Sequence, residues 1–329
     1  MEHPRTSKTA AVRQIWESAF RRSPIGVNED FFDLGGDAWL AAELIERINS
    51  ECGANFDATI LCTASTISRL AAMLEAPQPH RTVALLNSGS GYPLFMLHGI
   101  GSSVIDLVPL ARRMQLGQPI YGLEAKGNDG GHDPLTSVED MAQFFLQAIP
   151  ELLPQGPYFL IGYSFGGLVA FEMARRLAAE GRQIGLLAML DSYPDRHYLS
   201  IGQRSLLLLQ AARNRLSRGK SSAQQPKVGS TDHPIGTGDR AETRNSLVLA
   251  MHRVKDAQYR ALRNYRPGSY DGPVSFVRAA IPTRFPSDPI PVWSRFMRPI
   301  QVETVPGEHL DMLTTQVEPL ANILRKHLP

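Results

Sequence analysis

Residues 158–179, YFLIGYSFGGLVAFEMARRLAA, constrain the fold more than any other stretch of this chain. The apolar run Tyr158–Ile161 reads as a strand and Leu168–Ala179 as a helix, so Gly162-Tyr163-Ser164-Phe165-Gly166 has to turn one into the other. A G-x-S-x-G match by itself arises by chance in roughly one chain in ten of this length at ordinary Gly and Ser frequencies. Between a strand and a helix it specifies a tight elbow that lifts the serine hydroxyl clear of a sheet, and the residues two before and two after the serine must be very small. Gly162 and Gly166 meet that condition.

The texture around the elbow agrees with a sheet. From Pro93 onward, short apolar runs (Leu94–His98, Ile120–Leu123, Tyr158–Gly162, Leu186–Leu190, Val274–Val277 and Val302–Val305) alternate with helical patterns. This predicts a mostly parallel, doubly wound sheet with helices on both faces. One interval breaks the rhythm, because no strand is expected between Asp191 and Val274. Ser205–Leu216 and Ala241–Tyr265 read as helices, and the polar, Gly/Ser/Pro-rich stretch 217–240 between them reads as mobile. An excursion this long is expected to be a cover or a loose insertion, bounded at about 196–265. Its first part, 196–240, is basic, with eight Lys+Arg against two Asp+Glu.

A serine hydroxyl needs a base to take its proton, and the base needs an orienting acid. In elbow folds these follow in the order Ser, acid, His. The acid should sit at the end of the next strand, where Leu186-Leu-Ala-Met-Leu delivers Asp191; Asp195 competes but lies beyond Pro194. The base should follow the last strand, where Val302-Glu-Thr-Val-Pro-Gly-Glu delivers His309. His252 falls in the cover, His233 in its mobile part and His327 in the tail. Two backbone donors are needed for an oxyanion. Phe165 N–H at the start of the helix and Ile100 N–H in the loop His98-Gly99-Ile100-Gly101 are the candidates. His98 itself reads as a hydrogen-bonded residue at a strand end rather than a base.

The first 76 residues are different in kind. Val12, Ile15, Trp16, Ala19 and Phe20 form one helical stripe; Leu40, Ala41, Leu44, Ile45 and Ile48 form a second behind Asp37 as N-cap; Ile67, Leu70, Ala71 and Leu74 form a third behind Ser65 or Thr66. A small all-α bundle of four helices over 1–76 is expected, then a linker over 77–92 whose Val-Ala-Leu-Leu can supply a first strand, then a second domain over 93–329. The bundle carries 7 Lys+Arg and 11 Asp+Glu and the remainder 27 and 21, so the two parts have opposite net charge and should attract weakly.

Composition excludes several classes. No basic helix or aromatic-basic interleaving points to nucleic acid. No run approaches the 18 apolar residues of a membrane span, and the N-terminus has no apolar stretch of a secretory signal. The two cysteines, Cys52 and Cys62, have no metal-type spacing and suit a reducing cytoplasm, as small buried apolar side chains. No metal site is expected.

Taken together, PLFMLHGIGSS, PIYGLE, GPYFLIGYSFGGLVAFEMARRL, MLDSYP and VPGEHLDML resemble, in order, the α/β-hydrolase thioesterases that end nonribosomal peptide synthetase assembly lines. The resemblance covers 94–329 except 196–265, where that family carries a variable helical lid, and it implies Ser164, Asp191 and His309 as active residues. Residues 5–76 resemble the peptidyl carrier (thiolation) domain of the same assembly lines. There FFDLGGD, residues 31–37, matches throughout, but the next position, where the family bears the serine that receives 4′-phosphopantetheine, is Ala38. Alanine has no oxygen to form the phosphate ester. The intact loop around it favours a deliberate serine-to-alanine replacement over a decayed carrier.

The resemblance implies a chain-releasing enzyme at the excised end of a longer synthetase. Its substrate is an acyl or peptidyl thioester, its partners are upstream modules and a phosphopantetheinyl transferase, and its carrier docks on the thioesterase. Release would pass through a Ser164 acyl-enzyme to water or to a nucleophile on the chain itself. Two alternatives stay open at this point: a degenerate carrier serving only as a docking module, with the thioesterase fed in trans, and a general serine esterase.

Overall fold

The computed structural model describes residues 4–74, 82–149, 152, 153, 155–199, 246–282, 286 and 288–329. The N-terminal unit holds α1 (Pro4–Phe20), α2 (Ala38–Cys52), a 3-10 helix (Ala58–Cys62) and α3 (Ile67–Met73). Three of the four expected helices are thus α-helical and the fourth is a single 3-10 stretch, held between the Asp57 cap and Thr63. Asp37 caps α2 as expected, accepting the Leu40 N–H at 2.8 Å, and Gly53 ends it at φ 66°. Thr66, not Ser65, caps α3, because the Ser65 hydroxyl donates instead to Asp30 at 2.6 Å. The stripes converge on one core of Val12, Ile15, Trp16, Leu44, Ile45, Ile48 and Leu70. Phe31 plugs it, edge-on to Trp16 at 5.9 Å, and its ring lies where any side chain at Gly36 would have to go. Phe31 and Gly36 of FFDLGGD therefore have a packing reason beyond any role in attachment.

The second unit is a seven-stranded sheet in the order β1-β3-β2-β4-β5-β6-β7: β1 (Val83–Asn87), β2 (Leu94–Leu97), β3 (Ile120–Leu123), β4 (Tyr158–Tyr163), β5 (Ile184–Leu190), β6 (Val274–Ala279) and β7 (Ile300–Val305). Only β1 is antiparallel, on β3; the other pairings are parallel. The Val-Ala-Leu-Leu of the linker region is this edge strand. Side-chain alternation splits each strand between two cores. Phe95, Leu97, Leu160 and Met189 face α5 (Val138–Ala148) and α6 (Phe165–Ala179), while Leu94, Met96, Ile161 and Leu190 face α4 (Val108–Met114) and α9 (Val317–Arg325). Because both faces are covered, β2 and β4 are buried at every residue and read as unbroken apolar runs.

Among the described residues the remaining α-helices are α7 (Leu247–Asn264), from the expected cover, and the short α8 (Ile290–Trp293). The helix expected at 205–216 and the mobile stretch at 217–240 lie outside the described residues. No described helix is long and apolar enough to cross a membrane. Cys52 and Cys62 are free, but against the expectation of burial each is only partly buried.

β3 lies on one side of β2 and β4 on the other, so the order in which strands are laid down reverses beside β2. In open parallel sheets the crevice at such a switch, at the carboxyl ends of the strands, is where ligands bind. The loop after β2 and the turn after β4 both open there.

Candidate active site

The turn after β4 is an elbow. Ser164 has φ 54° and ψ −119°, a conformation that non-glycine residues avoid and that costs of order 1–3 kcal/mol. Its N–H continues the ladder to the Leu190 carbonyl at 2.8 Å, which pins the strained residue from below. Side chains at Gly162 or Gly166 would collide with backbone: that of Gly166 and Gly167 for the first, that of Leu97 and His98 for the second. The two glycines let α6 press onto the ends of β2 and β4. Ser164 itself is only half-buried, so its hydroxyl can be reached.

Asp191 stands one residue beyond β5, also at positive φ (46°). Its N–H donates to Val277 at 2.7 Å, and its Oδ1 lies 3.4 Å from the Ala279 N–H. Its Oδ2 lies 2.8 Å from Nδ1 of His309. A carboxylate only accepts, so Nδ1 carries the proton and the neutral imidazole presents Nε2 as an acceptor. His309 follows β7 on a turn fixed by a Glu308/Asp311 capping box. Tyr163, the residue before Ser164, stacks on the imidazole with centroids 4.8 Å apart and donates its hydroxyl to the His309 carbonyl at 2.9 Å. The ring that holds the imidazole is therefore covalently adjacent to the serine. Asp195 turns away, capping a 3-10 helix and pairing with His197 at 2.7 Å. His327 pairs with Glu303, and His252 packs on Trp39. His233 lies outside the described residues.

The loop after β2 is organised by a buried cluster that the sequence reading did not anticipate. His98 Nδ1 faces the Gly99 carbonyl at 2.9 Å and its Nε2 faces Glu124 at 3.3 Å. Both partners only accept, so the fully bonded form of His98 is the imidazolium. Burial opposes that charge, but the hydrogen bond and charge of Glu124 outweigh it and raise the His98 pKa. Burial likewise opposes ionisation of Glu124, and His98, Ser103 and Asn128 hold it down to about 2. Glu124 also accepts from Ser103 Oγ (2.6 Å), Asn128 Nδ2 (2.7 Å) and the N–H groups of Ala125 (2.9 Å) and Val104 (3.2 Å). The reading of His98 as a strand-end residue agrees with this geometry. Its partner could have been sought at Glu124, which ends β3 beside it just as Asp191 ends β5.

The helical unit sits on the mouth of this crevice. The Ala38 N–H, at the start of α2, donates to Asp106 Oδ1 at 2.9 Å, and the Ala38 side chain is 1% exposed. Trp39 Nε1 donates to the Gly101 carbonyl at 3.1 Å. Arg112 grips Asp30 with both terminal nitrogens (3.0 and 3.1 Å) and lies over the Phe32 ring at 4.7 Å. Ser246, the cap residue of α7, donates to Glu46 at 2.7 Å. The opposite charges of the two parts meet at Asp30–Arg112, but Asp106 faces a like charge. Burial first, and then Asp37, push the Asp106 carboxyl up to about 6, against hydrogen bonds from Ser102 and the Ala38 N–H. Phosphopantetheine does not fit position 38 of this chain: Ala38 offers no oxygen, and Asp106 already takes its N–H.

Behind Phe165 a narrow apolar cavity of about 20 Å³ runs between Met141, Phe145, Val169 and, from α7, Val254 and Gln258. Among the described residues no cluster of His, Cys, Asp or Glu could hold a metal ion.

The strand order, parallel register and elbow at a carboxyl end place the second unit in the α/β-hydrolase class. The family model described as the thioesterase domain matches residues 92–328, so the chain belongs to that family; the model described as the phosphopantetheine attachment site matches residues 10–74, a carrier domain ahead of it. Malpibaldin synthetase of Mortierella alpina is 30% identical over 329 residues, 94% of this chain and 6% of that protein. A dimodular nonribosomal peptide synthase of Bacillus subtilis (strain 168) is 30% identical over 97% of this chain and 14% of its own length. Indigoidine synthase of Streptomyces lavendulae is 34% identical over 57% of this chain and 15% of its own length. The chain thus spans a small part of each of these relatives. Among solved structures, a holo four-domain nonribosomal peptide synthetase, AB3403, matches 99% of this chain and 26% of its own, with TM-score 0.60 and 22% identity. The thioesterase domain of NocB, solved as a covalent complex with a fluorophosphonate nocardicin G analogue, matches 75% of this chain and 99% of its own, with TM-score 0.54 and 21% identity.

Proposed function

We propose that this chain releases acyl or peptidyl groups from thioesters through a covalent Ser164 intermediate, as the terminal unit of a nonribosomal peptide assembly line. The observation that carries the proposal is the 2.8 Å Asp191–His309 hydrogen bond, locked by Tyr163 immediately beside the strained Ser164. Asp191 keeps the proton on Nδ1, so Nε2 of His309 takes the proton of Ser164 as Oγ attacks the thioester carbonyl. The tetrahedral oxyanion is met by the N–H groups of Phe165 and Ile100. Collapse breaks the C–S bond; His309 returns its proton to the departing thiolate, and an ester to Ser164 remains. A second nucleophile, deprotonated by His309, then displaces Ser164. Water gives a free acid; an amine or hydroxyl on the chain gives a macrolactam or macrolactone.

With Ala38 this chain cannot carry its own substrate, and no step runs through an arm on it. We read Ala38 as standing where the loadable form bears serine, with the domain division near residues 76 and 93. The upstream modules and the phosphopantetheinyl transferase belong to that loadable form. For the chain as it stands, the buried Ala38 under Asp106 favours a second reading of the carrier as a docked module, its neighbour receiving thioesters in trans.

The test is covalent labelling. A fluorophosphonate should add its mass to Ser164 in the full chain, and Ser164→Ala should lose both labelling and turnover of a small acyl thioester. Turnover by Ser164→Ala at near wild-type rate would overturn the mechanism.

A further inference from the structure

The Ile100 N–H, one of the two oxyanion donors proposed above, belongs to a loop whose consecutive peptides are each held from a different part of the molecule. The Gly99–Ile100 peptide, which carries that N–H, has its carbonyl bonded to His98 Nδ1 at 2.9 Å, from the sheet core. The next peptide donates the Gly101 N–H to Gln258 Oε1 at 2.9 Å, from α7 of the lid. The one after accepts, through the Gly101 carbonyl, the indole N–H of Trp39 at 3.1 Å, from the carrier. Gly101 is buried and has φ 66°, the left-handed region that glycine alone adopts freely. A Cβ there would meet Cδ of Lys255 on α7 at 2.9 Å. Carrier and lid also touch each other at this point: Trp39 packs on His252 with centroids 4.8 Å apart, and Lys255 Nζ lies 6.0 Å from the indole centre. Gln258 is 2% exposed, so its bond to Gly101 is shielded from water.

We propose that the docked carrier and the lid helix jointly position the oxyanion donor, with Trp39 and Gln258 as positioning residues acting through the two backbone groups of Gly101. Backbone donors stabilise an oxyanion only when they are already aimed at it, and an unheld glycine peptide is free to rotate. Docking of a carrier therefore does more than deliver a thioester: the residue after the attachment position completes the loop that accepts the reacting carbonyl. The inference rests on the reading of Ile100 as an oxyanion donor, and its signature is a loss in kcat rather than in KM for a substrate that never contacts the carrier.

The experiment uses the full chain with the N-acetylcysteamine thioester of hexanoic acid supplied in solution. Trp39→Phe removes the indole donor and keeps an aromatic ring; Gln258→Leu removes the acceptor. Each is expected to lower kcat roughly tenfold with KM within about twofold. Because both act through one residue, the double variant should lose less than the product of the singles. Wild-type kcat in either folded variant, losses confined to KM, or multiplicative effects in the double variant would overturn the proposal. The two substitutions lie in separate domains, so a variant with no thermal unfolding transition leaves the other to decide. Failure of the acyl-enzyme reading shows differently, as turnover that survives Ser164→Ala.

Discussion

Glu124→Gln is the sharpest probe of the scaffold under the candidate site. The wild-type carboxylate is buried, paired with His98 and bonded by four further donors. Its pKa is held at about 2 against an ordinary 4.5; at ~1.4 kcal/mol per decade of proton affinity this corresponds to stabilisation on the order of 3 kcal/mol. The sign follows from the direction of each shift. The Glu124 contribution is present above its unfolded pKa near 4.5 and is lost as pH falls through about 2. The His98 pKa is raised above 6.5, so its contribution is complete below 6.5 and is lost as pH rises through the folded value. The pair is worth most between the two unfolded values, near pH 5–6. Glutamine keeps one oxygen acceptor but removes the charge and leaves the imidazolium uncompensated. Thermal unfolding at pH 5.5 should therefore fall by roughly 6–12 °C, taking about 2–4 °C per kcal/mol for a domain of this size. The difference should narrow as pH rises through the raised folded value of His98, where the wild-type ion pair is lost. A parallel pair of melting curves with a pH-independent offset, or no offset at all, would refute the assignment of a buried ion pair here.

Asp191→Asn leaves the shape at the end of β5 but stops holding the proton on His309 Nδ1; kcat for a soluble thioester should fall about 10³- to 10⁴-fold with KM little changed, measured by steady-state kinetics. Asp106→Asn keeps an acceptor for the Ala38 N–H and removes a carboxyl pushed up to about 6. A raised folded pKa means wild-type stability is complete only below the unfolded value near 3.8 and is lost as pH rises to about 6, so the variant should be the more stable at pH 8, by on the order of 1–2 kcal/mol after discounting for partial exposure, with the gap closing only below about pH 4. Arg112→Met cuts the half-exposed clasp on Asp30; at most about 1 kcal/mol of docking should go, more at low salt than at high, read as faster proteolysis between the two units. Gly162→Ala should yield no soluble protein, because its methyl would occupy the space of the Gly166 carbonyl.

Features legible from the residues alone were local and periodic. The elbow, the parallel sheet and the two-part organisation were legible because glycine spacing, apolar runs that end in Asp191 or lead toward His309, and 3.6-residue stripes are properties of short segments. The Asp37 boundary of α2 was legible for the same reason. Tertiary structure alone decided what meets what. Tyr163 reads only as the variable residue before the elbow serine until β7 brings His309 onto its ring. His98 reads as a strand end until β3 places Glu124 against it. Trp39, Gln258 and Asp106 are distant in the chain, and they converge on the mouth of the crevice only because the bundle packs there. Pairing between remote polar groups leaves no periodic trace in sequence, since its energy depends on burial and mutual orientation, which exist only once the chain is folded.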